Sequence, residues 1–157
     1  MLKIVSGGQT GVDQGALAAA LEAGAPCGGW CPEGRMSEEG PIPPVYPMVE
    51  LAGAGYRKRT LQNVLDSDGT AIIHDGELEG GTRLTWVLCE HHGRASVLID
   101  ASALSRDQAI DALVAFVTGN RLDVLNVAGP RASKWPAAFE YAQTLVAGML
   151  EQLMLSA

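Results

Sequence analysis

The chain has 157 residues, 47% of them hydrophobic and 18% charged, with a formal net charge of −7. That length suits a single domain over residues 1–157, able to bury roughly 70% of its unfolded surface. The acidic balance argues against nucleic acid or an anionic membrane as partner, since both need a basic face, and no stretch reaches the ~20 apolar residues of a membrane span.

Residues 2–5 form an apolar run and are predicted as the first strand. Ser6-Gly7-Gly8-Gln9-Thr10-Gly11 follows directly. A helix is expected over 12–23, where Val12, Ala16, Leu17, Ala20 and Leu21 share one face, and Gly24 ends it. A brief second strand is expected at 28–30. Residues 31–47, with five prolines, read as a long excursion of the kind that forms lids or binding loops. The spacing of Tyr56, Thr60, Leu61, Val64 and Leu65 predicts a helix over 56–65, closed by Asp66-Ser67-Asp68-Gly69. A buried strand follows at 70–73. Gly80-Gly81-Thr82 opens a helix to about residue 92, and another strand lies at 96–99. Ser105 and Gln108 make a capping box for a helix to about residue 118. The last strand is expected at 124–127 and the last helix at 136–153.

Strands that read as continuous apolar runs and alternate with helices indicate a parallel sheet covered on both faces. The expectation is a three-layer α/β/α, Rossmann-like, doubly wound domain with about five mainly parallel strands. Their order is not legible. Ligands of such sheets bind beyond the carboxyl ends of the strands, and there the chain carries glycines and small polar groups. After strand one come Gly7, Gly8, Gln9, Thr10 and Gly11, with Asp13 at the helix start. Arg35 follows the second strand, Gly80, Gly81 and Thr82 lie beyond the third, and Gly129 and Arg131 follow the last. Glycine lets backbone approach a ligand, a helix start offers unpaired N–H groups, and arginine suits bidentate phosphate recognition. Each such turn can equally be a tight turn and nothing more; their gathering at one edge of the sheet favours a ligand.

Three cysteines, Cys27, Cys31 and Cys89, form no disulfide frame and fit a reducing, cytoplasmic compartment. Cys27 and Cys31 lack a second, similarly spaced ligand pair, so no structural metal is expected. His91 and His92 read as partners of a helix C-terminus. A P-loop, a dinucleotide-binding glycine fingerprint and a hydrolase nucleophile elbow are all missing.

Six ordered motifs carry a resemblance over nearly the whole chain. They are Gly7-Gly8-Gln9-Thr10-Gly11-Val12-Asp13, Gly29-Trp30-Cys31-Pro32-x-Gly34-Arg35, Arg59-Thr60-x-x-Asn63-Val64, Asp66-Ser67-Asp68-Gly69-Thr70, Gly80-Gly81-Thr82 and Asn126-Val127-Ala128-Gly129-Pro130-Arg131. Together they resemble the putative molybdenum cofactor carrier proteins, a circularly permuted branch of the Rossmann-like SLOG superfamily that includes the lysine-decarboxylase-like (LOG) proteins. The resemblance implies binding of a phosphorylated ligand, either the molybdopterin cofactor or a nucleotide. It implies Gly7, Gly8, Thr10, Gly11, Gly80, Gly81 and Thr82 on the phosphate side, with Arg35, Arg59 and Arg131 as nearby cations. It also implies a homo-oligomer, dimer or tetramer. Related hydrolases that cleave nucleotide N-glycosidic bonds carry a glutamate shortly after the Gly-Gly-x-Gly-Thr turn. Here Thr82 is followed by Arg83-Leu84-Thr85, and Glu90 lies two turns further on.

A carrier that shelters its ligand without converting it fits turns rich in N–H donors and poor in paired acid–base groups. The alternative is a phosphoribohydrolase-like enzyme using Asp13 or Glu33 as its acid or base. An interaction module with purely structural glycine turns would show a shallow, filled strand edge instead.

Overall fold

Short apolar runs become strands and the longer stretches of helical spacing become helices. In the computed structural model, which describes residues 1–53 and 55–156, strand β1 (Lys3–Val5) leads into helix α1 (Val12–Ala23). There follow β2 (Cys27–Gly28), β3 (Trp30–Pro32), β4 (Met36–Ser37), β5 (Gly40–Pro41), β6 (Val49–Leu51) and α2 (Tyr56–Leu65). The chain continues through β7 (Gly69–His74), α3 (Gly80–His91), β8 (Ser96–Asp100), α4 (Arg106–Gly119), β9 (Val124–Ala128) and α5 (Ala138–Leu155). The central sheet has the order β2-β1-β9-β7-β8, and every neighbouring pair is parallel. Helices α1, α4 and α5 pack together on one face, and α2 and α3 on the other. This is the three-layer α/β/α Rossmann-like architecture.

The last strand occupies the middle of the sheet. β9 sits between β1 and β7, so the carboxyl ends of the first, third and last major strands lie side by side. Turns more than a hundred residues apart in sequence thereby become neighbours.

The two faces differ in chemistry. Leu125 and Val127 join a continuous apolar core with Ile4, Val12, Ala16, Ala20, Ile73, Leu145 and Met149. Side chains alternate along a strand, so Asn126 points to the α2–α3 face, where its amide donates to Thr70 Oγ1 at 3.2 Å. Asn63 of α2, also buried, accepts from the Trp30 amide at 2.8 Å and donates to the Trp30 carbonyl at 2.9 Å. A polar layer therefore lies beneath α2 and α3, with Asn63 and Asn126 paired within it.

Asp66-Ser67-Asp68-Gly69 does more than end a helix. Asp66 Oδ2 accepts from Trp30 Nε1 at 2.8 Å. Asp68 Oδ2 accepts from the amides of Asp123 and Val124 at 3.0 and 2.8 Å, tying the start of β9 to the start of β7.

Several expectations change in detail. The second strand, expected at 28–30, is divided between β2 in the main sheet and β3, which pairs in parallel with β6 in a separate two-stranded sheet. Gly29 makes the break at φ 129°, where a Cβ would overlap the Ser6 carbonyl. The 31–47 excursion contains the β4–β5 antiparallel hairpin. Leu21, placed on the buried face of α1, is 39% exposed, whereas Ala19 is fully buried. Helix α5 starts at Ala138 rather than at residue 136.

Helices α1 and α5 approach closely at Gly15, where a Cβ would overlap the Phe139 carbonyl oxygen and crowd Ala142. Gly15→Ala should therefore destabilise the fold by about 1–3 kcal/mol, the usual cost of overpacking. A lowered urea midpoint with an unchanged slope is the expected reading.

Candidate functional site

Beyond the carboxyl ends of β1, β9 and β7 lies a cavity of about 490 Å³. Four segments wall it: the β1–α1 turn, the first half of α2, the β7–α3 loop with the start of α3, and the β9–α5 loop. Gln9, Asp13, Arg59, Gly80, Gly81, Thr82, Gly129 and Arg131 all line it. Gly7 lines a small void that adjoins it, sharing Arg59, Thr60, Thr85 and Ala128 with the larger cavity.

Close backbone packing brings the walls together. Gly11 has φ 81°, and a Cβ there would overlap the Pro130 carbonyl oxygen. That carbonyl accepts the Val12 amide at 3.2 Å. At Gly129 a Cβ would overlap the Ile73 carbonyl and the Val12 side chain. Gly11 and Gly129 thus join the loops that frame the cavity; Gly129 lines it and Gly11 does not.

The floor is a buried ion pair. Arg59 of α2 places Nη1 3.9 Å from Asp13 Oδ2, and the two side chains are only 11% and 7% exposed. Asp13 Oδ2 also accepts the Gln9 amide at 3.2 Å. The Arg59 Cζ stands 5.6 Å from the centre of the Tyr56 ring, a cation–π contact. Its Nε is buried without a hydrogen-bond partner among the described residues. A Cβ at Gly7 would overlap the guanidinium, so glycine there is what lets Arg59 reach the β1 turn. Burial lifts the Asp13 carboxyl to about 6, against the opposing pull of Arg59 and the amides of Gln9 and Gly7. Burial likewise pushes Arg59 below its ordinary value, and Asp13 opposes that shift.

Another wall is the entrance of α3. Its N-cap, Glu79, is extended and makes no side-chain cap. Gly80 has φ 50°, the left-handed region where a side chain is strained, and a Cβ at Gly80 or Gly81 would meet nothing within 4 Å. The first amides of a helix have no partner inside it, and here they border open cavity. Trp135 and Tyr56 supply aromatic surface, while Asp75, Glu77 and Glu79 bring carboxylates to the β7–α3 side. Lys134 and Arg131 bring cations from the β9–α5 loop. The cavity is thus of mixed charge, not uniformly basic.

Other residues singled out in the sequence lie elsewhere. Arg35 is spent on its own loop: its guanidinium donates to the carbonyls of Met48, Ile42, Pro43 and Tyr46 at 3.0–3.3 Å. Gly8, at φ 75°, faces Ile42 and Met48, and its amide donates to Ser6 Oγ at 3.3 Å. Thr10 accepts the Ala132 amide at 3.1 Å and donates to Glu38. Glu33, the alternative acid, accepts the Gly53 amide at 3.2 Å and does not line the cavity.

Glu38 was not foreseen. From the tip of the β4–β5 hairpin it accepts from the Thr10 hydroxyl and from the amide and hydroxyl of Ser133, with Arg131 Nε at 3.4 Å. Ser133 first and Thr10 next hold its carboxyl below the usual range. Gln9 Nε2 adds a bond to the Met36 carbonyl at 2.9 Å. The hairpin is thereby strapped across the β1–α1 and β9–α5 turns. Trp135 was also missed, although an aromatic residue four positions after Arg131 at a helix entrance was a signal that could have been read.

The fold and this cavity define a Rossmann-like protein whose candidate site lies at the carboxyl edge of a parallel sheet. The chain belongs to the circularly permutated YpsA SLOG family, whose model matches residues 4–150. It is similar to a crystal structure described as a putative molybdenum carrier protein from Syntrophus aciditrophicus SB. The two share 41% sequence identity over 96% of this chain and 95% of the other, with a TM-score of 0.93. No curated protein matches the sequence. All three cysteines are free. Among the described residues no helix is long and apolar enough to cross a membrane, and no group of three or more His, Cys, Asp or Glu side chains is arranged to hold a metal ion.

The Asp13 shift is a statement about stability. Because the folded-state value of about 6 lies above the ordinary 3.8, its contribution is fully present below pH 4 and lost as pH rises through 6. The loss is on the order of 3 kcal/mol. Asp13→Asn keeps an acceptor oxygen but does not ionise. Its unfolding free energy should therefore lack the decline between pH 4 and 6 that wild type shows in urea titrations at stepped pH.

Proposed function

We propose that this protein binds a phosphorylated, ring-bearing small molecule in the 490 Å³ cavity and holds it without converting it. The molybdenum cofactor and a nucleotide are the two candidates. One observation carries the reading: the uncapped entrance of α3, with Gly80 and Gly81 facing open space, shares a cavity with the buried and incompletely satisfied guanidinium of Arg59. Helix N-termini and arginine are complementary to phosphate oxygens. The volume falls within the range of ligand pockets, about 300–1,000 Å³. Trp135 and Tyr56 offer ring surface for stacking, and Asp75, Glu77 and Glu79 suit the hydroxyl or N–H donors of a sugar or heterocycle. The similar protein from S. aciditrophicus, described as a putative molybdenum carrier, supports the cofactor candidate.

A second reading, hydrolysis of an N-glycosidic bond, is favoured by Asp13, a cavity carboxyl that holds its proton up to about pH 6. Its weakness is that Asp13 sits in the floor, already engaged by the Gln9 amide and Arg59. Incubating the protein with nucleoside monophosphates and assaying for free base separates the two: release of base establishes the enzyme, whereas binding without release supports the carrier.

Gly81→Asp tests the site directly. A Cβ at this position meets nothing within 4 Å, and an acid in the first turn of a helix is favourable, so thermal stability should not fall. Its carboxylate would occupy the proposed phosphate position and weaken ligand binding about 100-fold. Native mass spectrometry of freshly purified protein should show a phosphorylated small molecule on wild type and not on the variant.

A further inference from the structure

Asp13 and Arg59 both line the cavity, and both are almost removed from solvent. An anion that reaches Arg59 must come close to Asp13, which already holds the guanidinium at 3.9 Å. Two anions beside one buried cation, in a site of low dielectric, repel each other strongly. The conflict is relieved if one of them becomes neutral. We infer that Asp13 is a placeholder for the ligand's charge: an incoming anion takes over the Arg59 guanidinium, and Asp13 accepts one proton from solvent and remains as a neutral carboxylic acid.

This rests on the reading of the cavity as an anion site and specifies its selectivity. The site takes its anion together with a proton, and it favours a charged ligand over the neutral counterpart, which gives Asp13 no reason to leave the pair.

The surroundings of the pair support the exchange. Arg59 Nε is buried and unpartnered among the described residues, so the guanidinium has hydrogen-bonding capacity that Asp13 does not use. The burial that lifts Asp13 toward neutrality makes the proton inexpensive to acquire. From β3, Cys31 faces Arg59, but burial pushes its thiol up, so it remains neutral and does not compete. Tyr56 meets Arg59 from within α2 through its ring. Arg131 and Lys134 from the β9–α5 loop, and Asp75, Glu77 and Glu79 from the β7–α3 loop, line the remaining walls. Arg131 is held by Glu38.

Inorganic sulfate is the appropriate probe, because it does not titrate between pH 5 and 8 and any proton linkage then belongs to the protein. Its dissociation constant is obtained from sulfate-dependent thermal shifts at matched ionic strength, with Gly81→Asp measured in parallel to subtract general salt stabilisation. For wild type it should rise about tenfold per pH unit above pH 6, as one-proton linkage requires. For Asp13→Asn it should be flat with pH and, at pH 8, lower than the wild-type value. Sulfate binding that is equally strong at pH 5.5 and pH 8 in wild type overturns the placeholder role and leaves the anion site standing. An absence of any wild-type binding beyond the Gly81→Asp background at either pH overturns the anion site itself. The wild-type profile is decisive even if Asp13→Asn fails to fold.

Discussion

The buried contact between Arg59 and Asp13 organises the candidate site. It joins α2 to α1 across the end of β1, and it exists only because Gly7 has no side chain to occupy the guanidinium's place. Neither charge is stable alone at this depth: an isolated buried ion costs several kcal/mol, and pairing offsets only part of that. The consequence is a polar floor beneath one face of the sheet. The opposite face, under α1 and α5, is an ordinary apolar core. Asn63, Thr70, Thr85 and Asn126 continue the polar layer around the pair. The molecule gives up hydrophobic packing on that side for buried polar and charged groups.

Sheet order does the rest. With β9 between β1 and β7, three loops that chain order separates converge on one rim. Gly11 and Gly129 let their backbones touch, and Glu38 fastens the β4–β5 hairpin over two of them. The strap satisfies hydroxyl and amide donors of Thr10 and Ser133, so these groups serve the shape of the rim. The cavity itself is lined by side chains and amides outside this strap: those of α3, Arg59, Trp135 and the acidic residues of the β7–α3 loop.

The mixture of charges bears on the proposed function. A cavity lined by one sign of charge would attract any opposite ion. Here cations and the α3 amides occupy part of the wall and carboxylates another, which suits a ligand with an anionic end and a hydrogen-bond-donating end. The cavity carboxyl of Asp13, which burial shifts toward neutrality, is built into the floor against a cation. By contrast, the carboxyl of Asp100 at the end of β8 is held down to about 2, chiefly by the amide of Gly76 and then by Ser102, and so anchors the loop that follows β7. Carboxylates with opposite environments thus have separable tasks, one electrostatic and one architectural.

Periodicity and glycine placement made the layers, the alternation of strand and helix, and the glycine turns at the carboxyl edge of the sheet legible in the sequence, because these depend on local spacing and on backbone freedom at single residues. Gly80-Gly81-Thr82 at a helix entrance could be read in this way, and so could Asp13 beside its glycine turn. Arg35 stood beside Arg59 as a cation that the resemblance implied. The difference is that four carbonyls of its own loop surround Arg35, and a sequence does not reveal which carbonyls a folded loop turns inward. Glu38 and the place of β9 were hidden for a similar reason. Pairing between distant segments is set by long-range packing and sheet register, which no local pattern encodes. The amino-acid sequence by itself determined what kinds of elements form and which turns have the backbone freedom of glycine. Only the tertiary structure decided which of them meet, because the meeting of Arg59 with Asp13, and of Glu38 with Thr10 and Ser133, depends on where an entire chain has to go to bury its apolar faces.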